Sequence, residues 1–229
     1  VIHLSFKCNL FCRHCNIGFN NKTSFLKNRS NINEIDINGW KKVIDNIAPY
    51  SSDFVITGGE PFLYEDIKEL MAYIKKYNKK IHLMTNGTLI DDSTDKIVEL
   101  GVDNICISID GPKEIHEKIR GVYGSYDKTI TTINNLVKDK KKYKSNTPII
   151  TVNCVITDLN INNLVEVAET FQKIDINRLN FINLFTYSNE SIKYHNEKCE
   201  SDEFYVNNTM GGEIGINPSL NNGNIDVKK

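Results

Sequence analysis

The sequence predicts an α/β fold, a partial (β/α)6 barrel of parallel strands followed by an irregular C-terminal extension. Three observations predict it. Short β-rich runs alternate with longer amphipathic stretches from residue 1 to about residue 187, the pattern of repeated βα units around a parallel sheet. About six such units can be counted, whereas a closed barrel of this kind uses eight and typically about 250 residues. Residues 188–229 are rich in Asn, Gly, Ser and charge, without a helical or strand period, and read as an extension or the start of a second module cut short.

The strands are expected at residues 2–6, 54–57, 81–84, 104–109, 149–155 and 178–184, each with the β-branched or aromatic content of a buried strand. Between them, Trp40, Val43, Ile44 and Ile47 recur at helical spacing, as do Ile67, Leu70, Met71 and Ile74. Further helices are indicated by Ile97 with Leu100 ahead of a stop at Gly101. Others follow from Ile130, Ile133, Leu136 and Val137 after a Ser125 N-cap, and from Leu164, Val167, Ala168 and Phe171. Parallel strands joined by helices cross over right-handedly, so repetition curls the sheet in one sense. The expected organisation is a barrel unit at 1–187 and the extension at 188–229.

Composition narrows the function. The 229 residues are 40% hydrophobic, enough for a sizeable core, and 28 Lys+Arg balance 29 Asp+Glu to a net charge of -1. No overall field points to nucleic acid or an anionic membrane. The basic run at 138–144 follows an amphipathic stretch and reads as a solvated helix end. No apolar run reaches eighteen residues and the start lacks signal-peptide character, so no membrane partner is expected. The chain opens without Met directly into a strand-like run, and the expectation is a native amino terminus that has been removed or is not represented.

Cysteine placement carries the most information. Cys8, Cys12 and Cys15 fall within eight positions, while Cys106, Cys154 and Cys199 stand alone. A tight triplet in a domain of this size indicates a metal site in a reducing compartment rather than a disulfide scaffold, which favours the cytoplasm. The triplet follows the first strand, so its loop belongs at the C-terminal edge of the sheet, where parallel α/β folds place their sites. Three thiolates leave one iron of a four-iron cubane open to a substrate or cofactor. A zinc site completed by His14 or His3 is the alternative on spacing alone. Cys106 and Cys154 lie in expected strands and read as small buried hydrophobes; Cys199 reads as inert.

With its C-x3-C-x2-C spacing and an aromatic-type residue, His14, before the last cysteine, the segment Cys8-Asn9-Leu10-Phe11-Cys12-Arg13-His14-Cys15 resembles the signature of the radical S-adenosylmethionine (SAM) superfamily. Later motifs agree, in the family's order. Gly58, Gly59 and Glu60 of Thr57-Gly58-Gly59-Glu60-Pro61 match the family's GGEP motif, which implies a place at the amino group of SAM. Ser108, in Ser108-Ile109-Asp110-Gly111, and Arg120, twelve positions later, resemble the SAM contacts of peptide-modifying members with an appended SPASM or twitch module. Arg120 suits a carboxylate because its planar guanidinium donates two parallel hydrogen bonds. Asn86 of Thr85-Asn86-Gly87 resembles a pocket residue at the same rim. Read without the family, these are turn residues and a surface arginine.

The resemblance implies a [4Fe–4S] cluster on Cys8, Cys12 and Cys15, and SAM as cofactor, bound through its amino and carboxylate groups. It implies reductive cleavage of SAM to a 5′-deoxyadenosyl radical that abstracts hydrogen from a substrate. The candidate substrates are a precursor peptide, in peptide maturation, or a small-molecule metabolite in cofactor biosynthesis, and the electron donor a flavodoxin or ferredoxin. Residues 211–223 only faintly resemble the start of an auxiliary module and bring no cysteine cluster. Either the chain stops before such a module or it is a compact member. A non-catalytic Fe–S or zinc protein remains the alternative class.

Overall fold

The computed structural model describes residues 1–15, 34–90, 93–184 and 197. Strands and helices alternate: β1 (Ile2–His3), α1 (Ile37–Ile47), β2 (Asp53–Thr57), α2 (Ile67–Lys76), β3 (Lys80–Thr85), α3 (Thr94–Glu99), β4 (Asn104–Ser108), α4 (Lys113–Arg120), α5 (Ser125–Lys142), β5 (Ile149–Ile156), α6 (Leu164–Gln172) and β6 (Arg178–Asn183). The six strands form one sheet in the order β1-β2-β3-β4-β5-β6, and every neighbouring pair is parallel. Each strand thus lies beside its predecessor, as an unclosed (β/α) barrel requires. Residues 188–229, apart from Glu197, and with them Cys199, lie outside the described residues.

Period-two alternation separates the two faces of the sheet. Ile81, Leu83, Ile105, Ile107, Ile150 and Val152 are fully buried and share one core with Ile44, Leu70, Met71, Ile74, Ile133 and Leu136 from the helices. Each such side chain stabilises the fold by roughly 1.5–3 kcal/mol relative to exposure. The opposite face carries His82, Met84, Asn104, Cys106, Ser108 and Asn153, none of them fully buried. Asn104 Oδ1 there accepts from Thr151 Oγ1 at 3.1 Å, and Asn180 Nδ2 donates to Asn153 Oδ1 at 3.0 Å. Cys154 is buried as expected, but Cys106 faces this polar side and is only half-buried.

Other expectations are corrected by local physics. The first strand pairs at Ile2 and His3 alone, with one further bond from Leu4 N–H to Thr57 O at 3.0 Å. Ser5–Lys7 then turns toward the end of β2 instead of continuing the ladder. The N-cap of α5 is Gly124, in the left-handed region at φ 78, while Ser125 is the first helical residue and its hydroxyl donates to Val122 O at 2.7 Å. Ile47 ends α1 at 39% exposure, outside the buried stripe of Trp40 and Ile44. Among the described residues no helix is long and apolar enough to cross a membrane.

Candidate functional site

The cysteine loop leaves β1 and is held by the C-terminal ends of three elements. At the first, Gly59 N–H donates to Ser5 O and Glu60 N–H to Lys7 O, both at 2.8 Å. A Cβ on Gly58 would stand 2.2 Å from Ser5 O, and one on Gly59 would stand 2.2 Å from Lys7 O. The paired glycines therefore admit the backbone that leads into Cys8, a close approach that no side chain tolerates. Gly58 also takes φ 146, which favours glycine.

Glu60 is fully buried, and its carboxylate is engaged by protein donors. Oε1 accepts from Phe62 N–H at 3.1 Å and Thr85 Oγ1 at 2.8 Å, and Oε2 accepts from Asn86 N–H at 2.8 Å. Burial raises its pKa against these three donors, which work to lower it. Its visible work is to tie the end of β2 to the turn after β3. Asn86 carries the tie onward: Nδ2 donates to Asn9 Oδ1 at 2.9 Å and points at Cys8 Sγ at 3.9 Å, while Oδ1 accepts from Thr88 N–H at 2.9 Å. Asn9 Nδ2 closes the ring on Thr88 Oγ1 at 2.8 Å.

The third element is α4. The last carbonyls of a helix lack intrahelical partners, and here the loop supplies them. Phe11 N–H donates to Arg120 O and Arg13 N–H to Ile119 O, both at 2.9 Å, so Cys12 sits between two anchored amides. Gly121, at φ 73, ends the helix, and a Cβ there would meet Phe11 O at 2.7 Å. Arg120 itself is buried; its Nη1 donates to Cys12 Sγ at 3.6 Å. Its Nε lies 2.7 Å from Asp110 Oδ2, an ion pair without an aligned hydrogen bond.

Around that pair lie two imidazoles, His116 buried and His14 of intermediate exposure. His116 Nδ1 accepts from Asp110 N–H at 3.1 Å, and His14 Nε2 lies 3.9 Å from Asp110 Oδ2. Burial, then the Arg120 cation, lower His116 to about 3 against the pull of Asp110. Burial lowers His14 to about 4. For Asp110, burial pushes upward but Arg120 and His14 outweigh it, and its carboxyl stays below the usual range.

The donor set fits an Fe–S cluster. Burial, then neighbouring Cys12, push the Cys8 thiol up to about 11 against the hydrogen bond from Leu10 N–H, and burial pushes Cys12 up as well. Such thiols form thiolates only when a cation compensates them, and N–H donors already face the sulfurs: Leu10 N–H at 3.4 Å from Cys8 Sγ, and Arg120 at Cys12. Among the described residues no three His, Cys, Asp or Glu side chains gather as ligands of a single ion.

The structure thus brings Cys8, Cys12, Cys15, Gly58, Gly59, Glu60, Asn86 and Arg120 to one rim. Ser108 ends β4, half-buried opposite Asn153, two residues before Asp110. Asn9, Thr85, Thr88 and Asp110 were not singled out by the sequence. The one available signal was position, since Thr85 ends a strand and Thr88 and Asp110 lie within three residues of a strand's end.

Comparison with known proteins bears on this arrangement. The model of the Radical SAM superfamily matches residues 2–171. The Fe-coproporphyrin III synthase of Methanosarcina barkeri is 27% identical over 205 residues, covering 89% of this chain and 48% of that protein. A cysteine-type anaerobic sulfatase-maturating enzyme of Clostridium perfringens is 31% identical over 183 residues, covering 77% of this chain and 48% of its own length. The chain spans about half the length of these curated relatives. Among solved structures, Streptococcus suis SuiB bound to S-adenosylmethionine superposes with a TM-score of 0.67 at 19% identity, covering 82% of this chain and 41% of that one, a likeness of fold.

Proposed function

This chain belongs to the radical SAM superfamily, whose cofactors are SAM and an Fe–S cluster, and from that premise we propose that Cys8, Cys12 and Cys15 hold a [4Fe–4S] cluster in a peptide-modifying enzyme. The observation that carries the proposal is the rim itself: three thiols on one loop, clamped by the ends of β2, β3 and α4. When bound, the cluster supplies the electron that cleaves SAM to methionine and a 5′-deoxyadenosyl radical, which takes a hydrogen atom from the substrate. The difficult chemistry belongs to the cofactors, and the chain provides position and exclusion of water.

Gly58, Gly59 and Glu60 would border the amino end of SAM, with Glu60 acting through Asn86 as much as by contact. Arg120 and Ser108 would serve its carboxylate side, with Asn86 at the pocket wall. Residues 1–187 act as the catalytic unit, and 188–229 extend it or begin a second one. A substrate is read as lying along the polar sheet face, where half-buried Asn104 and Asn153 and exposed Asn180 offer amide partners suited to a peptide backbone. The sulfatase-maturating relative supports this class. The synthase relative supports a second reading, a small metabolite of cofactor biosynthesis. The cytoplasm and a flavodoxin or ferredoxin donor complete the proposal.

The test is anaerobic reconstitution with iron and sulfide, then SAM and dithionite. 5′-Deoxyadenosine should form, and Cys12→Ser should abolish both the cluster absorption and the product. A stoichiometric zinc ion with no 5′-deoxyadenosine would overturn the proposal in favour of a non-catalytic metal protein. Presenting peptide and tetrapyrrole substrates to the active enzyme separates the two readings.

A further inference from the structure

Arg120 brings a full positive charge into a place where only 7% of the residue meets solvent, beside an Asp110 that meets none. Asp110 is fixed from several sides. Its Oδ1 accepts from Val155 N–H at 2.9 Å, its N–H donates to His116 Nδ1 at 3.1 Å, and its carbonyl accepts from Asn160 Nδ2 at 2.7 Å. Asp110 is thereby held in place, with Oδ2 lying 2.7 Å from Arg120 Nε. Arg120 Nη1 donates to Cys12 Sγ at 3.6 Å. The backbone enforces the same register, because Phe11 and Arg13 bracket Cys12 with bonds to the carbonyls of Arg120 and Ile119.

We propose that Arg120, oriented by Asp110, is a positioning residue that holds the Cys12 thiolate and raises the reduction potential of the cluster it ligates. The proposal rests on the cluster reading above. One-electron reduction adds a negative charge to the cluster without making or breaking a bond. A fixed cation with an N–H···S bond to a ligating sulfur stabilises the more negative state, strongly so away from water. The role is separate from any contact with the SAM carboxylate, since it operates before SAM arrives.

The experiment is an EPR-monitored redox titration with dithionite on reconstituted protein in the absence of SAM, comparing wild type with Arg120→Gln and Arg120→Lys. Arg120→Gln should shift the midpoint to a more negative potential, and Arg120→Lys, which keeps a charge but loses the fork between Asp110 and Cys12, should fall between. If the Gln variant assembles no cluster, the Lys variant decides alone, and a wild-type midpoint there overturns the proposal. Equal midpoints in all three proteins do the same. Wild-type protein that assembles no cluster at all is a different result: it refutes the cluster reading, and this inference falls with it.

Discussion

Protonating His116 would place an N–H on Nδ1, where the backbone N–H of Asp110 now donates at 3.1 Å, in a site where the residue is 1% exposed. Burial, with Arg120 beside it, therefore holds the folded-state pKa down to about 3 against an ordinary 6.5. The sign follows from linkage: below about pH 6.5 the unfolded chain binds a proton that the folded chain refuses, so stability drains away as pH falls toward 3. The full loss from this one group is on the order of 5 kcal/mol. His116→Asn keeps an acceptor in place of Nδ1 and removes the titration, so it should flatten the fall of denaturation midpoint between pH 6.5 and 4. Part of the slope should survive, because His14 is lowered by burial in the same way, to about 4. A variant whose midpoint falls as steeply as wild type would show that His116 is not the group refusing the proton.

At the scale of elements, the junction between the β2 end and the cysteine loop depends on two missing side chains. In Gly59→Ala the new Cβ would lie 2.2 Å from Lys7 O and 2.7 Å from Phe6 O, both backbone, so the loop itself must move. Overpacking of this kind costs about 1–3 kcal/mol, and it should also lower the iron bound per chain after reconstitution. Gly101→Ala is the contrast: its φ is 64, but nothing lies within 4 Å of the new Cβ, so it should lose some stability and keep its iron. Full iron loading in Gly59→Ala would contradict the close-approach account. The strands were legible in the sequence because buried parallel strands read as runs of Ile, Leu and Val. Helix α4 was not, because it spans Lys113–Arg120, mostly charged, and buries little beyond His116, Ile119 and Arg120. The cysteine triplet was legible from its spacing, and Arg120 from the family resemblance. The role of Asp110 and the hydrogen bonds that join Asn86 to Asn9 were not, since these partners lie far apart along the chain and only the parallel sheet brings them together.

Across the whole molecule, the all-parallel order puts every strand's C-terminal end on one rim, while the core lies between the sheet and its helices. The rim is held by hydrogen bonds between segments distant in sequence, and the core by buried Ile, Leu and Met, so the two should separate in local stability. A bound cluster opposes every opening that breaks the rim, whereas local openings in the core leave it in place. Chelating the iron from reconstituted protein under anaerobic conditions should therefore accelerate amide hydrogen exchange at Phe11, Arg13 and Asn86, while Ile105 and Ile107 in β4 stay protected. Acceleration in β4 equal to that in the loop would mean that the cluster supports the entire fold. Unchanged exchange at Phe11 and Arg13 would mean that the clamp from α4 holds the loop in its ligand-ready shape without help, so that the cluster enters a preformed seat.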